Sequence, residues 1–392
     1  MTTPHQLRDY QETAKARVHH EWDTGVTRTA IILPTGTGKT DVIAELCLDE
    51  IAAGGKVLAL AHRAELIDQL IERMSCYSSK CTVGRIQAGI NDINHPMIAA
   101  SVQTLRRPAR MAALDTADWQ PSLVVIDEVQ HGLAHSYLQI VRWAGCFDDN
   151  RRTKLLGVTA TLIRGDRQAF DGLFQSVADV MSLGEAFDKK LLAAPVIKRV
   201  RLDRFWDRFK FRRLSERQLM DQDSRRIVEA WRRKAKDRIT IAYCTNCKEA
   251  QSLVDAFTSA EIPVALIIGS TPYEERKLIY KKLAAGDIRV MVNVYVATEG
   301  FNCPQVSCII IDRFTQSPGL LVQIIGRGLR RYTDPVTGKE KTDCLVLDTT
   351  GVTEHYDMST LIDIDPHRVR GYQAPGKFRQ LIDRAITALR SE

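Results

Sequence analysis

The stretch Pro34-Thr35-Gly36-Thr37-Gly38-Lys39-Thr40 sets two glycines, a lysine and a hydroxyl directly after the apolar run Thr29-Ala30-Ile31-Ile32-Leu33. Between a strand and a helix, such a loop turns its backbone N–H groups onto a polyphosphate. Lys39 is expected on the β- and γ-phosphates and the Thr40 hydroxyl on Mg²⁺. Leu33 stands where the strict glycine pattern has its first glycine, so the first glycine here is Gly36. A second group, Asp127-Glu128, ends the apolar run Leu123-Val124-Val125-Ile126. Acids at the carboxyl end of a buried strand lie in the crevice of a parallel sheet. Asp127 is expected to hold Mg²⁺ through its water shell, and Glu128 to orient or deprotonate an attacking water. Together these residues predict nucleotide hydrolysis.

Groups this far apart in sequence need a scaffold that brings them together. Short apolar runs alternate with helix-period segments along most of the chain, which predicts an α/β fold with mainly parallel sheets. In the first half the expected strands are Ala30–Leu33, Lys56–Ala61, Met97–Ala100, Leu123–Ile126 and Leu155–Val158. In the second they are Ile239–Tyr243, Val264–Ile268, Val290–Val294, Cys308–Ile311 and Cys344–Leu347, with helices near Glu249–Phe257, Glu274–Leu283 and Leu320–Leu329. The expected organisation is a first domain over 1–188, a basic crossover segment over 189–237, a second domain over 238–366 and a tail helix over 367–392.

The chain has 392 residues, 44% of them hydrophobic and 26% charged, as ordinary globular proteins do. Its net charge of +7 permits a polyanionic partner without demanding one. No apolar run approaches the roughly eighteen residues of a membrane span, and Met1-Thr2-Thr3-Pro4-His5 lacks a signal-peptide pattern, so a cytoplasmic location is expected. The nine cysteines are scattered and many sit in apolar runs, which suits reduced, buried thiols. Cys244-x-x-Cys247 has no second close pair, so no structural zinc is expected. From Lys198 to Arg238 the chain is dense in arginine and lysine, with Phe205, Trp206, Phe209 and Phe211 among the charges. Two readings stay open for this stretch: a phosphate-binding, base-stacking surface, or a linker and solvated basic helix docked through its aromatics.

Further motifs follow in order, and with them the chain resembles the superfamily 2 helicases, P-loop NTPases with two tandem RecA-like domains. Leu7-Arg8-Asp9-Tyr10-Gln11 resembles the family's adenine-recognition motif, which implies that Arg8, Tyr10 and Gln11 hold ATP, with Gln11 reading the base edge. Thr35, Gly36, Thr37, Gly38, Lys39 and Thr40 match motif I. Ala61 to Leu66 resembles motif Ia and Ser101 to Leu105 motif Ib, implying strand contacts from Arg63 and Thr104. Asp127-Glu128-Val129-Gln130 is motif II; Gln130 stands where the named boxes have Asp or His, which implies altered coupling with hydrolysis retained. Thr159-Ala160-Thr161 resembles motif III and Tyr243 to Asn246 motif IV, the latter offering Thr245 to the strand. Thr298-Glu299-Gly300-Phe301-Asn302 resembles motif V, with Thr298 on the strand and Gly300 and Asn302 toward the nucleotide.

Gln323 to Arg330 matches motif VI. Its Arg327 and Arg330 are spaced to share a helix face and are expected to stabilise charge on the transferred phosphoryl group. Within the superfamily the likeness is to RadD-like bacterial and phage DNA-repair helicases, carried by Ile268 to Pro272, Val292 to Val294, motif VI and Lys341 to Asp348. The resemblance implies an ATP- and Mg²⁺-dependent DNA helicase or translocase on single-stranded or forked DNA, moving 3′ to 5′. An RNA helicase uses the same scaffold. A clamp that anneals or remodels nucleic acid without unwinding it fits the same motifs.

Overall fold

The computed structural model describes residues 6–77, 81–129, 135–160, 172–202, 215–296 and 301–355. The chain divides into two compact units between Ser182 and Leu183. In the first, helix α1 (Asp9–Asp23) precedes β1 (Arg28–Ile32), and α2 (Lys39–Ala52) leads to β2 (Val57–Ala61). Helix α3 (Ala64–Tyr77) is followed by β3 (Val83–Gln87), β4 (Ile90–Asn91) and β5 (Met97–Ser101), then by α4 (Val102–Leu105) and α5 (Pro108–Thr116). Strand β6 (Leu123–Asp127), helix α6 (His135–Trp143), β7 (Lys154–Thr159) and β8 (Ser176–Val180) complete the described part.

The sheet order is β4-β3-β5-β2-β6-β7-β1-β8, parallel throughout except for the β3–β4 pair. β1, β2 and β5 are buried at every position, as strands covered on both faces must be, and this is why they read as continuous apolar runs. Strand β7 separates β1 from β6: Ile32 pairs with Thr159, and Asp127 with Val158, so both chemical segments emerge level at one edge. Beneath them lies a core including Leu58, Ile98, Val124, Ile126, Leu155 and Phe174.

The second unit opens with α7 (Leu183–Asp188), β9 (Ala194–Arg199) and α8 (Glu216–Ala235). Strand β10 (Ile239–Cys244), α9 (Cys247–Ser259), β11 (Val264–Ile267), α10 (Tyr273–Ala285), β12 (Val290–Asn293) and β13 (Val306–Asp312) follow. Then come α11 (Pro318–Gly326), the short antiparallel pair β14 (Tyr332–Thr333) and β15 (Glu340–Lys341), β16 (Asp343–Asp348) and α12 (Val352–His355). The main sheet has the order β11-β12-β10-β13-β16-β9 and is parallel.

The stretch expected as a crossover segment over 189–237 is, where described, part of this second fold. Strand β9 pairs with β16 along its length, tolerating Pro195 because it lies at the sheet edge. Helix α8 starts at a capping box in which Ser215 Oγ accepts from the Gln218 N–H at 3.3 Å and Gln218 Oε1 accepts from the Ser215 N–H at 2.9 Å. It buries Ile227, Val228 and Trp231 in the core. The Trp231 indole donates to Thr240 Oγ1 at 2.7 Å and meets Phe257 edge-on at 5.6 Å. The helix thus docks through its apolar stripe, and Arg225, Arg232, Arg233 and Lys234 stay exposed. Phe205, Trp206, Phe209, Phe211 and the expected tail helix lie outside the described residues.

Candidate nucleotide site and nucleic-acid interface

The loop after β1 is shaped by glycine. Gly36 has φ +94° and Gly38 φ +80°, ψ 41°, backbone that L residues adopt at a cost. Gly38 is the N-cap of α2 and no side chain caps that helix, so its first N–H groups face the loop as anion donors. Lys39, the first helical residue, is only 8% exposed. Its Nζ has no hydrogen-bond acceptor, and the nearest opposite charge is Glu128 Oε1 at 3.6 Å. A buried ammonium without an acceptor is costly unless an anion completes its shell, and a polyphosphate is what the loop's donors fit.

Gln11 fixes the loop from α1. Its Oε1 accepts from the Arg8 N–H at 2.9 Å and its Nε2 donates to the Gly38 carbonyl at 3.1 Å. The Arg8 guanidinium lies beside Tyr10, whose hydroxyl is pushed up chiefly by burial, with Arg8 opposing. The three residues expected on ATP therefore stand together, with Gln11, expected to read the base edge, bound to the loop. Asp41, in the first turn of α2, is ion-paired with Arg73 of α3.

At the end of β6, Asp127 Oδ1 accepts from the Glu128 N–H at 2.9 Å. Glu128 is 5% exposed and has φ +54°, a left-handed backbone uncommon for a long side chain. Strained backbone of this kind collects at ligand sites. Here it goes with a carboxylate set against Lys39. The donor set suits a hard cation: Asp127 and Thr40 offer oxygen ligands and would hold Mg²⁺, which would neutralise phosphate charge when bound. Thr159 closes β7 fully buried, whereas Gln130 and Thr161 lie outside the described residues.

The expected strand contacts divide. Arg63 lies in the turn between β2 and α3, half-buried. Thr104 is 6% exposed and its Oγ1 accepts from the Ala88 N–H at 3.1 Å, so it braces the β3–β4 turn; the exposed side chains of that segment are Gln103, Arg106 and Arg107. In the second unit Thr245 is exposed past β10 and donates to the Asp312 carbonyl at 3.4 Å. Asn302 is exposed, while Thr298 and Gly300 lie outside the described residues. Cys244 is buried at the end of β10 and Cys247 is exposed at the start of α9. No group of three or more metal-ligating side chains occurs among the described residues.

Arg327 and Arg330 do not share a helix face. Helix α11 ends at Gly326, and in the turn that follows Gly328 packs so closely that a Cβ would fall 2.3 Å from Cys344 Sγ. The two arginines converge in another way: both Nη1 atoms donate to the Phe301 carbonyl, at 3.0 and 3.1 Å. The same unit also holds a basic cavity of about 280 Å³, lined by Arg199, Arg201, Arg226, Arg233 and Lys234 with Glu229 as its one acid. Its basic lining falls within the Lys198 to Arg238 stretch for which a phosphate-binding reading is open from the sequence, whereas the exposed arginines after α4 belong to no motif.

Two parallel α/β units, a glycine loop with a buried lysine and an acidic pair level with it define the RecA-like helicase core. The chain belongs to superfamily 2 of the helicases. Its residues 4–164 match the family described as "Type III restriction enzyme, res subunit", and residues 221–332 match "Helicase conserved C-terminal domain". It is 27% identical over 368 residues to a candidate ATP-dependent helicase, IRC3 of Saccharomyces cerevisiae, covering 88% of this chain and 52% of that protein. The chain thus spans about half the length of that relative.

Among solved structures, Saccharomyces cerevisiae Dbp5 bound to RNA and ADP BeF3 shares the fold with a TM-score of 0.66 at 16% identity, covering 95% of this chain and 93% of that one. The ATP-dependent Type ISP restriction-modification enzyme LlaBIII bound to DNA gives 0.65 at 17% identity, covering 88% and 28%.

Proposed function

We propose that this chain is an ATP- and Mg²⁺-dependent motor on nucleic acid, a DNA helicase or translocase working on single-stranded or forked DNA. The observation that carries this reading is Lys39: a buried ammonium without a hydrogen-bond acceptor, at the mouth of a left-handed glycine loop and 3.6 Å from Glu128. In this reading ATP's phosphates take Lys39, Mg²⁺ lies on Thr40 and Asp127, and Glu128 is freed to orient water. Gln11, Arg8 and Tyr10 take the base, and Arg327 and Arg330 supply positive charge to the transferred phosphoryl group. Arg63, Thr245 and the cations around them meet phosphates, which gives strong salt dependence and little sequence preference. The DNA assignment is supported by the restriction-enzyme family over residues 4–164, and the kinship with RadD-like helicases is part of the same proposal. Nine cysteines without a disulfide support a reducing, cytoplasmic setting.

Phosphate release measured with single-stranded DNA, duplex, forked DNA and RNA tests the proposal. Wild-type turnover is expected to rise with single-stranded or forked DNA, and Lys39→Ala to lose at least about a hundredfold. Normal hydrolysis by Lys39→Ala would overturn the site, and stimulation by RNA alone would make the chain an RNA motor. Strand displacement on the fork separates a helicase from an annealing clamp.

A further inference from the structure

In the second unit a pair of side chains outside the expected site residues stands in an unusual state. Tyr295, two residues past β12, has φ +59°, a left-handed backbone that an aromatic residue rarely adopts. Its side chain is not hidden by that conformation, for the residue is 54% exposed. The ring is seated on the guanidinium of Arg313, whose Cζ lies 3.7 Å from the ring centroid. Arg313 follows β13 directly; it is 8% exposed, and its Nη1 is buried without a hydrogen-bond partner. Strand β10 lies between β12 and β13, so the pair bridges the carboxyl end of β10, next to the exposed Thr245. Phe314, the next residue, is itself 45% exposed and packs near His355, with ring centroids 5.8 Å apart.

The left-handed backbone of Tyr295 and the Arg313 Nη1 without a hydrogen-bond partner each cost stability, which the contact of ring and guanidinium offsets in part, and here they occur beside an exposed aromatic ring. What they produce is a flat, cation-backed π face at the carboxyl edge of a parallel sheet, the edge where ligands of such sheets bind. Every nucleobase has a π face, and stacking on an aromatic side chain is tolerant of sequence.

We propose that Tyr295, seated on Arg313, is a stacking platform for one base of a single-stranded polynucleotide. The inference rests on the nucleic-acid reading above and adds a base contact to the phosphate contacts expected there. The guanidinium beneath fixes the ring, the residue remains 54% exposed to a base, and Phe314 adds a second exposed ring on the same edge.

Fluorescence anisotropy with a labelled oligothymidylate, and with the same strand carrying abasic sites, tests the platform. Tyr295→Gly suits the left-handed backbone and removes the ring; Tyr295→Phe keeps it. Tyr295→Gly is expected to weaken binding to the intact strand about tenfold, the scale of one stacked base, and Tyr295→Phe to stay near wild type. On the strand whose bases are missing, wild type and Tyr295→Gly are expected to bind alike. ATP turnover without polynucleotide is expected to be unchanged in both variants, which confirms that they fold. Equal affinity of Tyr295→Gly and wild type for the intact strand would overturn the platform, as would an equal loss on the abasic strand. If the wild-type chain binds neither strand, the nucleic-acid reading itself fails.

Discussion

Replacing Gly38 by alanine probes the phosphate loop where its geometry is tightest. Gly38 sits at φ +80°, ψ 41°, where an L residue costs roughly 1–2 kcal/mol. A Cβ there would fall 2.5 Å from Gln11 Nε2 and 2.6 Å from Asp41 Oδ2. Neither group has room to withdraw, since Gln11 is 3% and Asp41 7% exposed. Loss of the hydrogen bond from Gln11 to the Gly38 carbonyl adds about 1 kcal/mol, and disturbing the Asp41–Arg73 pair adds roughly another 1–2 kcal/mol. The expected total is about 3–5 kcal/mol.

Gly54 is the internal control. Its φ is +85°, yet nothing lies within 4 Å of an added Cβ, so Gly54→Ala carries only the backbone cost of about 1–2 kcal/mol. Urea unfolding followed by circular dichroism gives both values, provided m is unchanged. Binding of a fluorescent ATP analogue gives the functional half. Gly38→Ala is expected to lose roughly 2 kcal/mol more than Gly54→Ala and to bind nucleotide at least about tenfold more weakly, with Gly54→Ala binding normally. Equal destabilisation by the two substitutions, or undiminished nucleotide binding by Gly38→Ala, would refute the reasoning.

Two further outcomes concern the second unit. The fully buried Asp348 carboxylate accepts from the N–H and hydroxyl of Thr350, the Gly351 N–H, and the N–H and hydroxyl of Thr353, and it pairs with Arg199 at 3.2 Å. Asp348→Ala strands these donors and is expected to cost about 3–5 kcal/mol in urea unfolding; a loss under about 1 kcal/mol would show that the turn holds itself. Burial pushes the Lys341 ammonium down to about 8 from 10.5, although its Nζ donates to the Pro304 and Val306 carbonyls at 2.7 Å each. The unfolded chain therefore keeps this proton longer than the folded one, and stability from this residue rises as pH climbs from about 8 toward 10.5. Unfolding at pH 7.5 and pH 10 is expected to show that rise in wild type and to show it flattened in Lys341→Met; identical slopes would rule it out.

The interior strands were legible because burial on both faces leaves few polar residues in them, as in Leu123–Asp127 and Val306–Asp312. Strands β3 and β8 were not, since Gly84, Arg85 and Asp179 interrupt their apolar pattern, and β9 was hidden by Pro195, Lys198 and Arg199. At the candidate site, residue types could be read from spacing: Lys39, Asp127 and Glu128 lie where the strand ends place them. The left-handed turn of Glu128 and the seat of Gln11 on the Gly38 carbonyl could not, because backbone conformation and side-chain partners come from the assembled sheet. Motif VI illustrates the same limit. A three-residue spacing suggests one helix face, but the helix ends at Gly326, before either arginine, and Gly328 packs against Cys344 in the turn beyond it. Tyr295 went unnoticed because an aromatic within the apolar run Val290 to Val296 looks like core.

The position of β7 between β1 and β6 has a metrical consequence. Hydrogen-bonded strands keep a spacing of about 4.8 Å, so the roots of the lysine loop and of the acidic pair are held two spacings apart, roughly 10 Å. The sheet works as a caliper with fixed jaws. Two long side chains meet across the gap at 3.6 Å, and shortening either one blunts a jaw without altering the gauge. Changing the gauge itself would take the gain or loss of a whole strand.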